Sequence, residues 1–167
     1  YCDGWEQRDK PLVVIAEKEK HALHLAKVIY NWSEDLVVLT NGVSLSPEGA
    51  AELQRRNIKI ISDPIKNLIG VDGYLQKIEF ETGETLLRSG GFVAPIYYRT
   101  NQFAEKLGCD LDEDGKVKTD GVGRTSEKNI YIAGETERNR PSSLMISAAK
   151  GNKAAVSVNT DLTMERF

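Results

Sequence analysis

Long apolar runs, cysteines and a surplus of positive charge are what this 167-residue sequence lacks. No stretch of about 18 consecutive apolar residues occurs, so no segment is predicted to cross a membrane. The two cysteines, Cys2 and Cys109, are too few for the disulfide framework of a small secreted protein, and a reducing cytoplasm is the predicted location. A formal net charge of -3 argues against a nucleic-acid-binding surface.

The apolar content of 40% and charged content of 28% are typical of a globular protein, and the length suits one domain or two small lobes. The first part alternates short apolar runs with helical spacing. Ser46 followed by Pro47 marks a helix start, because a hydroxyl caps the helix and proline fits its first position. Strand, helix, strand, helix, strand is the βαβαβ unit of a parallel sheet. The predicted elements are residues 12–16, 19–31, 36–40, 46–56 and 58–61.

The pattern changes after residue 63. Three short segments punctuated by Asp-Gly and Thr-Gly predict an antiparallel meander over residues 64–69, 74–81 and 84–88. The remaining predicted elements are strands at 91–95, 116–119 and 129–133, a short helix at 101–107 and a final helix at 142–160.

The loop between the first strand and helix lacks the glycines of a dinucleotide site. Such a loop needs Gly-x-Gly-x-x-Gly/Ala so that the backbone can approach a pyrophosphate at the helix N-terminus. Here Ala16 and Lys18 stand at the key glycine positions, and Glu17 and Glu19 would repel a pyrophosphate while stabilising the helix end. The alternative is an unusual nicotinamide site held by lysines at positions 18 and 20. Loss of this ligand is the favoured interpretation.

Two patterns resemble metal-binding motifs but have simpler interpretations. The acidic spacing at positions 110, 112 and 114 begins like a calcium loop, but Gly121 stands where the loop needs a bidentate glutamate. We therefore expect an acidic hairpin turn. His21 and His24 lie three apart on a helix without a third ligand placed by the sequence, so no metal site is predicted.

Two segments resemble motifs of flavin-dependent thioredoxin reductases. The Cys-Asp-Gly-Trp run at residues 2–5 is similar to the end of that family's redox motif, Cys-Pro-Tyr-Cys-Asp-Gly. The strand ending in Gly134-Glu135 resembles the second flavin-binding segment, which usually reads Ala-Gly-Asp, and an Ala/Gly-rich helix follows it. The resemblance runs through essentially the whole chain. It implies an α/β fold of the FAD/NAD(P)-binding Rossmann-like class.

The resemblance implies two lobes and a set of functional residues. Residues 5–95 would form the pyridine-nucleotide-type lobe and 96–167 the C-terminal segment of the FAD-binding lobe, whose N-terminal unit is absent from this sequence. Cys2 would be the thiol against the flavin and Asp3 its acid/base, with the first motif cysteine three positions before Cys2. Cys109 is expected to be a structural thiol. The implied FAD-binding residues are Gly134, Glu135, Ser142, Ser143 and Leu144.

The implied activity is electron transfer through FAD to a Cys-x-x-Cys pair and then to a small thioredoxin-like protein, in a homodimer. NADPH is doubtful because of Ala16 and Lys18. Ferredoxin or another flavoprotein as the donor is one alternative. A non-catalytic relative that binds flavin or a partner is the other, and the residue three before Cys2 distinguishes it: a cysteine there supports redox work.

Overall fold

The structure is a computed structural model, and it describes residues 3–96, 102–113, 115–134 and 143–167. The chain divides into two compact units, Tyr1–Tyr97 and Tyr98–Phe167. Among the described residues, no helix is both long and apolar enough to cross a membrane. The assignment of the two units to a nucleotide-type lobe and a flavin lobe stays a prediction.

A four-stranded parallel sheet forms the centre of the first unit. Its strands stand in the order β3-β2-β1-β7, so the chain moves outward from β1 to β3 and then crosses to the other side of β1. The strands are β1 (Leu12–Ile15), β2 (Leu36–Leu39), β3 (Lys59–Ile61) and β7 (Gly90–Val93), and the connecting helices are α1 (Glu19–Tyr30) and α2 (Pro47–Gln54). The predicted βαβαβ unit is confirmed.

Both faces of the parallel sheet are covered, which explains its continuous apolar runs. On one face, Leu12 and Val14 pack with Ala22 and Ala26 of α1. On the other face, Val13 packs with residues of an antiparallel sheet. Successive strand residues point to opposite faces, so β1 contributes to both cores.

The antiparallel sheet is the predicted meander. It contains β4 (Ile65–Val71), β5 (Tyr74–Phe80) and β6 (Thr85–Leu87) in that order. Asp72 and Gly73 both have positive φ, at 52° and 83°, as a two-residue hairpin turn requires. Ile78 and Phe80 of β5 are almost fully buried and contribute to the core shared with Val13.

The second unit is built around its last helix. It contains α3 (Phe103–Lys106) and α4 (Leu144–Arg166). The strands predicted at 116–119 and 129–133 are wrong for the described part of this unit, where those segments form only the isolated bridges Leu111–Val117 and Arg124–Tyr131. A strand needs a neighbouring ladder, and these described residues supply one partner each. The final helix extends six residues beyond its predicted end at 160.

A loop before α4 is fixed on the middle of that helix. Ser157 Oγ donates a hydrogen bond of 2.9 Å to the carbonyl of Val122. Gly123 has φ +98°, and a Cβ there would lie 2.9 Å from Ala154 Cβ, so only glycine permits this approach. Ala154 and Ser157 are the residues of α4 that are buried.

Arg124 and Asp161 fasten the same loop further along α4. The Arg124 guanidinium donates to both Asp161 carboxylate oxygens, at 2.7 and 2.8 Å, and Tyr131 Oη donates to the same carboxylate at 2.7 Å. The hydrogen bonds from Arg124, and then that from Tyr131, lower the pKa of Asp161 to about 2. This cluster explains why the helix continues through residue 161.

Candidate functional site

The chain after the predicted redox cysteine is held in a defined place. Cys2 lies outside the described residues. Asp3 is exposed in a turn that leads into a short 3-10 helix, Trp5–Gln7. Gly4 is buried, and a Cβ on it would stand 2.4 Å from Trp32 Nε1. Gly4 of the motif is therefore packed against the indole that follows α1.

Trp5 and Trp32 pack edge to face, with ring centroids 6.3 Å apart. The Arg8 guanidinium stands 4.1 Å from the centroid of the Trp5 ring, a cation–π contact. The amide of Asp9 donates to the carbonyl of Trp32 at 3.0 Å. Sequence reasoning missed these contacts, because nothing in the local pattern relates residues 5–9 to a tryptophan more than twenty positions later.

The predicted flavin residues fall partly within the described chain. Glu135 and Ser142 lie outside it. Gly134 has φ +75°, and a Cβ there would meet no atom closer than Ser147 Cβ at 3.9 Å. Ser143 caps α4, and its Oγ accepts a hydrogen bond of 3.3 Å from the Ile146 amide. The structure thus describes Gly134 and the start of α4 with Ser143 at its cap.

The first turn of α4 suits the polar edge of a flat apolar ring system. Leu144 is 85% exposed and Met145 is 78% exposed, so two apolar side chains stand uncovered beside the positive end of a 23-residue helix. Helix N-termini favour negative charge, and the N1–C2=O edge of a reduced flavin carries it. The residues present fit one edge of FAD. The ligand roles of Gly134, Ser143 and Leu144 stay predictions.

The loop at the carboxyl end of β1 contains carboxylates where a dinucleotide site has open space. Ala16 is 2% exposed, and Lys18 is the N-cap of α1 without a side-chain capping bond. The Glu19 carboxylate accepts two hydrogen bonds of 2.7 Å, from the Ser46 amide and from Ser46 Oγ. Ser46 Oγ also accepts from the Gly49 amide at 3.0 Å, which confirms the predicted helix cap.

Glu17 is likewise hydrogen-bonded, in this case to the segment that follows β2. Asn41 Nδ2 donates to Glu17 Oε1 at 2.7 Å, and Asn41 Oδ1 accepts from the Ile65 amide at 2.8 Å. Asn41 has φ +50°, a conformation that asparagine tolerates. From the sequence, these glutamates were expected only to stabilise the helix end and repel phosphate. Their partners Asn41 and Ser46 could not be identified from spacing.

The Glu19 carboxylate is ionised at neutral pH. The hydrogen bond from the Ser46 amide, and then that from its hydroxyl, lower the pKa of Glu19 below its ordinary value. An ionised carboxylate in the first turn of α1 places negative charge near the helix N-terminus, which is the end that a pyrophosphate would approach. The residues present do not fit a nicotinamide dinucleotide.

The structure describes the other candidate residues in ordinary roles. Cys109 is 5% exposed, as expected for a structural thiol, and its Sγ lies 3.5 Å from Thr125 Oγ1. Asp112 Oδ1 accepts from the Lys116 amide at 2.8 Å within a hairpin turn. In the part of the chain that the structure describes, no group of three His, Cys, Asp or Glu side chains is placed to hold a metal ion.

Comparison with known proteins gives a consistent family. No family model matches the chain. A crystal structure assigned as the thioredoxin reductase TrxB of Bacillus anthracis is 53% identical, with a TM-score of 0.93 over 99% of this chain and 55% of that one. The structure of HlmI is 29% identical, with a TM-score of 0.86 over 99% of this chain and 52% of that one.

A curated protein from Arthroderma benhamiae, assigned as a thioredoxin reductase, is 22% identical over 193 residues. That match covers 99% of this chain and 48% of the relative. The chain thus spans about half the length of the relatives it matches. These matches confirm the predicted α/β architecture and the predicted resemblance to thioredoxin reductases. The chain therefore belongs to the thioredoxin-reductase-like family of FAD-dependent oxidoreductases.

Proposed function

We propose that these residues form part of a flavoprotein disulfide oxidoreductase. Electrons pass through FAD to a Cys-x-x-Cys pair that includes Cys2, and then to a small thioredoxin-like protein. The family relationship at 53% identity supports the reaction class. A cytoplasmic location and a homodimer belong to the same proposal, and the low cysteine content is consistent with a reducing compartment.

The exposed first turn of α4 is the observation that carries this proposal. A left-handed glycine, a capped positive helix end and two uncovered apolar side chains stand together in one unit. Neighbouring exposed apolar side chains beside a helix N-terminus offer a surface that a ligand can cover. A flavin ring with its polar edge toward the helix matches both the apolar area and the charge.

Each functional residue has an assigned task. FAD, when bound, supplies the two-electron carrier. Cys2 Sγ forms one side of the disulfide and becomes a thiol on reduction. Asp3, the next residue in the sequence and exposed, would supply and remove the proton at that sulfur. Gly134 and Glu135 would hold the ribityl side of FAD, and Ser142, Ser143 and Leu144 at the start of α4 would hold its pyrimidine edge.

Flavin retention tests the proposal in a protein of the relatives' full length that contains these residues. Glu135→Ala should lower the ratio of flavin absorbance to protein after purification, because a ribityl hydrogen bond is lost. Glu113→Ala, at an exposed acid in the 110–117 hairpin, is the matched control and should retain flavin. Full flavin occupancy in Glu135→Ala would contradict the assigned role.

The contacts of Glu17 and Glu19 favour the same function with an electron donor other than NADPH. Their carboxylates occupy the loop where NADPH would bind, so a ferredoxin or another flavoprotein is the donor that we favour. The residue three positions before Cys2 separates both forms from a non-catalytic relative. A residue other than cysteine there would exclude disulfide chemistry.

A further inference from the structure

In the first unit, side chains of the protein itself lie at the carboxyl ends of the parallel strands, where a dinucleotide would bind. In doubly wound folds, a dinucleotide lies outside the carboxyl ends of the strands at the point where the strand order reverses. Here the order reverses at β1, between β2 and β7. The loop after β1 would meet the pyrophosphate, and the loop after β2 would meet the adenine ribose.

The polar donors described in the β2–α2 loop are used by carboxylates from the β1–α1 loop. Asn41 Nδ2 donates to Glu17, and the amide and hydroxyl of Ser46 both donate to Glu19, each at 2.7 Å. Short hydrogen bonds to ionised carboxylates are stronger than bonds to neutral hydroxyls such as those of a ribose. A tethered carboxylate also competes at high effective concentration with a free ligand.

Gly49 adds a steric observation, because it leaves room for the Glu19 carboxylate. A Cβ at Gly49 would lie 2.7 Å from Glu19 Oε1. Ser46 Oγ accepts from the Gly49 amide and donates to Glu19 in the same chain of hydrogen bonds. Ser46 and Gly49, at the start of α2, thus form the binding position of the Glu19 carboxylate.

We propose that Glu17 and Glu19 close the dinucleotide site from within. They take the donors of the β2–α2 loop and place negative charge at the start of α1, so the unit excludes NADPH and NADH. The inference rests on the proposed function only in naming the donor class: reducing equivalents enter from an electron-transfer protein that does not use this loop.

Titration calorimetry with NADPH and with NADH tests the idea on the 167-residue chain and four variants. One variant restores the loop glycines (Ala16→Gly with Lys18→Gly). A second removes the carboxylates (Glu17→Ala with Glu19→Ala), and a third combines all four changes. The control adds Glu48→Ala to the glycine pair, since Glu48 is an exposed acid in the first turn of α2.

We expect no saturable binding up to millimolar nucleotide for the unaltered chain, either double variant or the control. The four-change variant should bind at least about tenfold more tightly than the glycine pair, a difference of about 1.4 kcal/mol. If the melting curve shows that the four-change variant is unfolded, Glu17→Gln and Glu19→Gln replace the two alanine substitutions in it.

Three results would overturn the proposal: submillimolar binding by the unaltered chain, equal affinity in the glycine pair and the four-change variant, or no binding by a folded four-change variant. None of these results bears on flavin. Conversely, full flavin retention by Glu135→Ala would contradict the proposed flavin site and leave the closed nucleotide site intact.

Discussion

Replacing Gly123 by alanine tests the contact that fixes the loop around residue 123 on α4 within the second unit. Two costs add at this position. The φ of +98° disfavours any L side chain by about 1–2 kcal/mol. The new Cβ would also stand 2.9 Å from Ala154 Cβ and 2.9 Å from the Ile132 carbonyl oxygen, an overpacking worth about 1–3 kcal/mol. We expect Gly123→Ala to lower the free energy of unfolding by about 2–5 kcal/mol.

Gly121→Ala is the matched control, because it separates the two costs. Gly121 has φ +86°, and a Cβ there would meet nothing within 4 Å. Its substitution should therefore cost only the backbone strain, about 1–2 kcal/mol. Urea denaturation followed by far-ultraviolet ellipticity measures both variants. The difference between them isolates the packing against α4.

Hydrogen exchange locates the effect. The Ile132 amide donates to the Gly123 carbonyl at 2.8 Å, so its exchange should accelerate in Gly123→Ala more than in Gly121→Ala. Equal stability losses in the two variants, with unchanged protection at Ile132, would refute the packing argument.

Three further outcomes are expected. Gly4→Ala should lower the melting temperature, because its Cβ would stand 2.4 Å from the neighbouring indole; a melting curve that superimposes on that of the parent would contradict this contact. Asp161 has a pKa lowered to about 2 by its arginine and tyrosine partners, so its stabilisation is present above the unfolded-state pKa and is lost as pH falls toward 2. Asp161→Asn should accordingly flatten the acid side of the stability curve, and an unchanged pH dependence would oppose the assignment. Alkylation of the reduced full-length protein should label Cys2 before the buried Cys109, as mass mapping would show; the reverse order would remove the catalytic assignment of Cys2.

Elements with a strong local signal could be predicted from the sequence. Continuous apolar runs gave β1 and β2 because both faces of those strands are covered, and Ser46-Pro47 marked the start of α2. The segments at 116–119 and 129–133 also alternate, but alternation cannot supply a neighbouring strand. The described part of their unit provides single bridges instead.

In the candidate site too, local features could be predicted from the sequence and long-range contacts could not. The glycine-poor loop at Ala16 and Lys18 was readable from the sequence, since the missing residues have a known steric purpose. The partners of Glu17 and Glu19 were not readable, because Asn41 and Ser46 lie 24 and 27 positions away and meet them only through the parallel sheet. The end of α4 was missed for a similar reason. Thr160 and Asp161 have low helix propensity, and the contact with Arg124 overrides it.

The packing of Gly4 against an indole has an optical consequence. The sequence contains two tryptophans, Trp5 and Trp32, and both belong to the aromatic contact beside the redox segment. All of the chain's tryptophan emission therefore arises from the aromatic pair that packs beside Gly4. Oxidation, reduction or partner binding at that segment should change the emission intensity or wavelength without any added label. The second unit contributes no tryptophan signal, so the intrinsic fluorescence of this chain is a local reporter of its redox end.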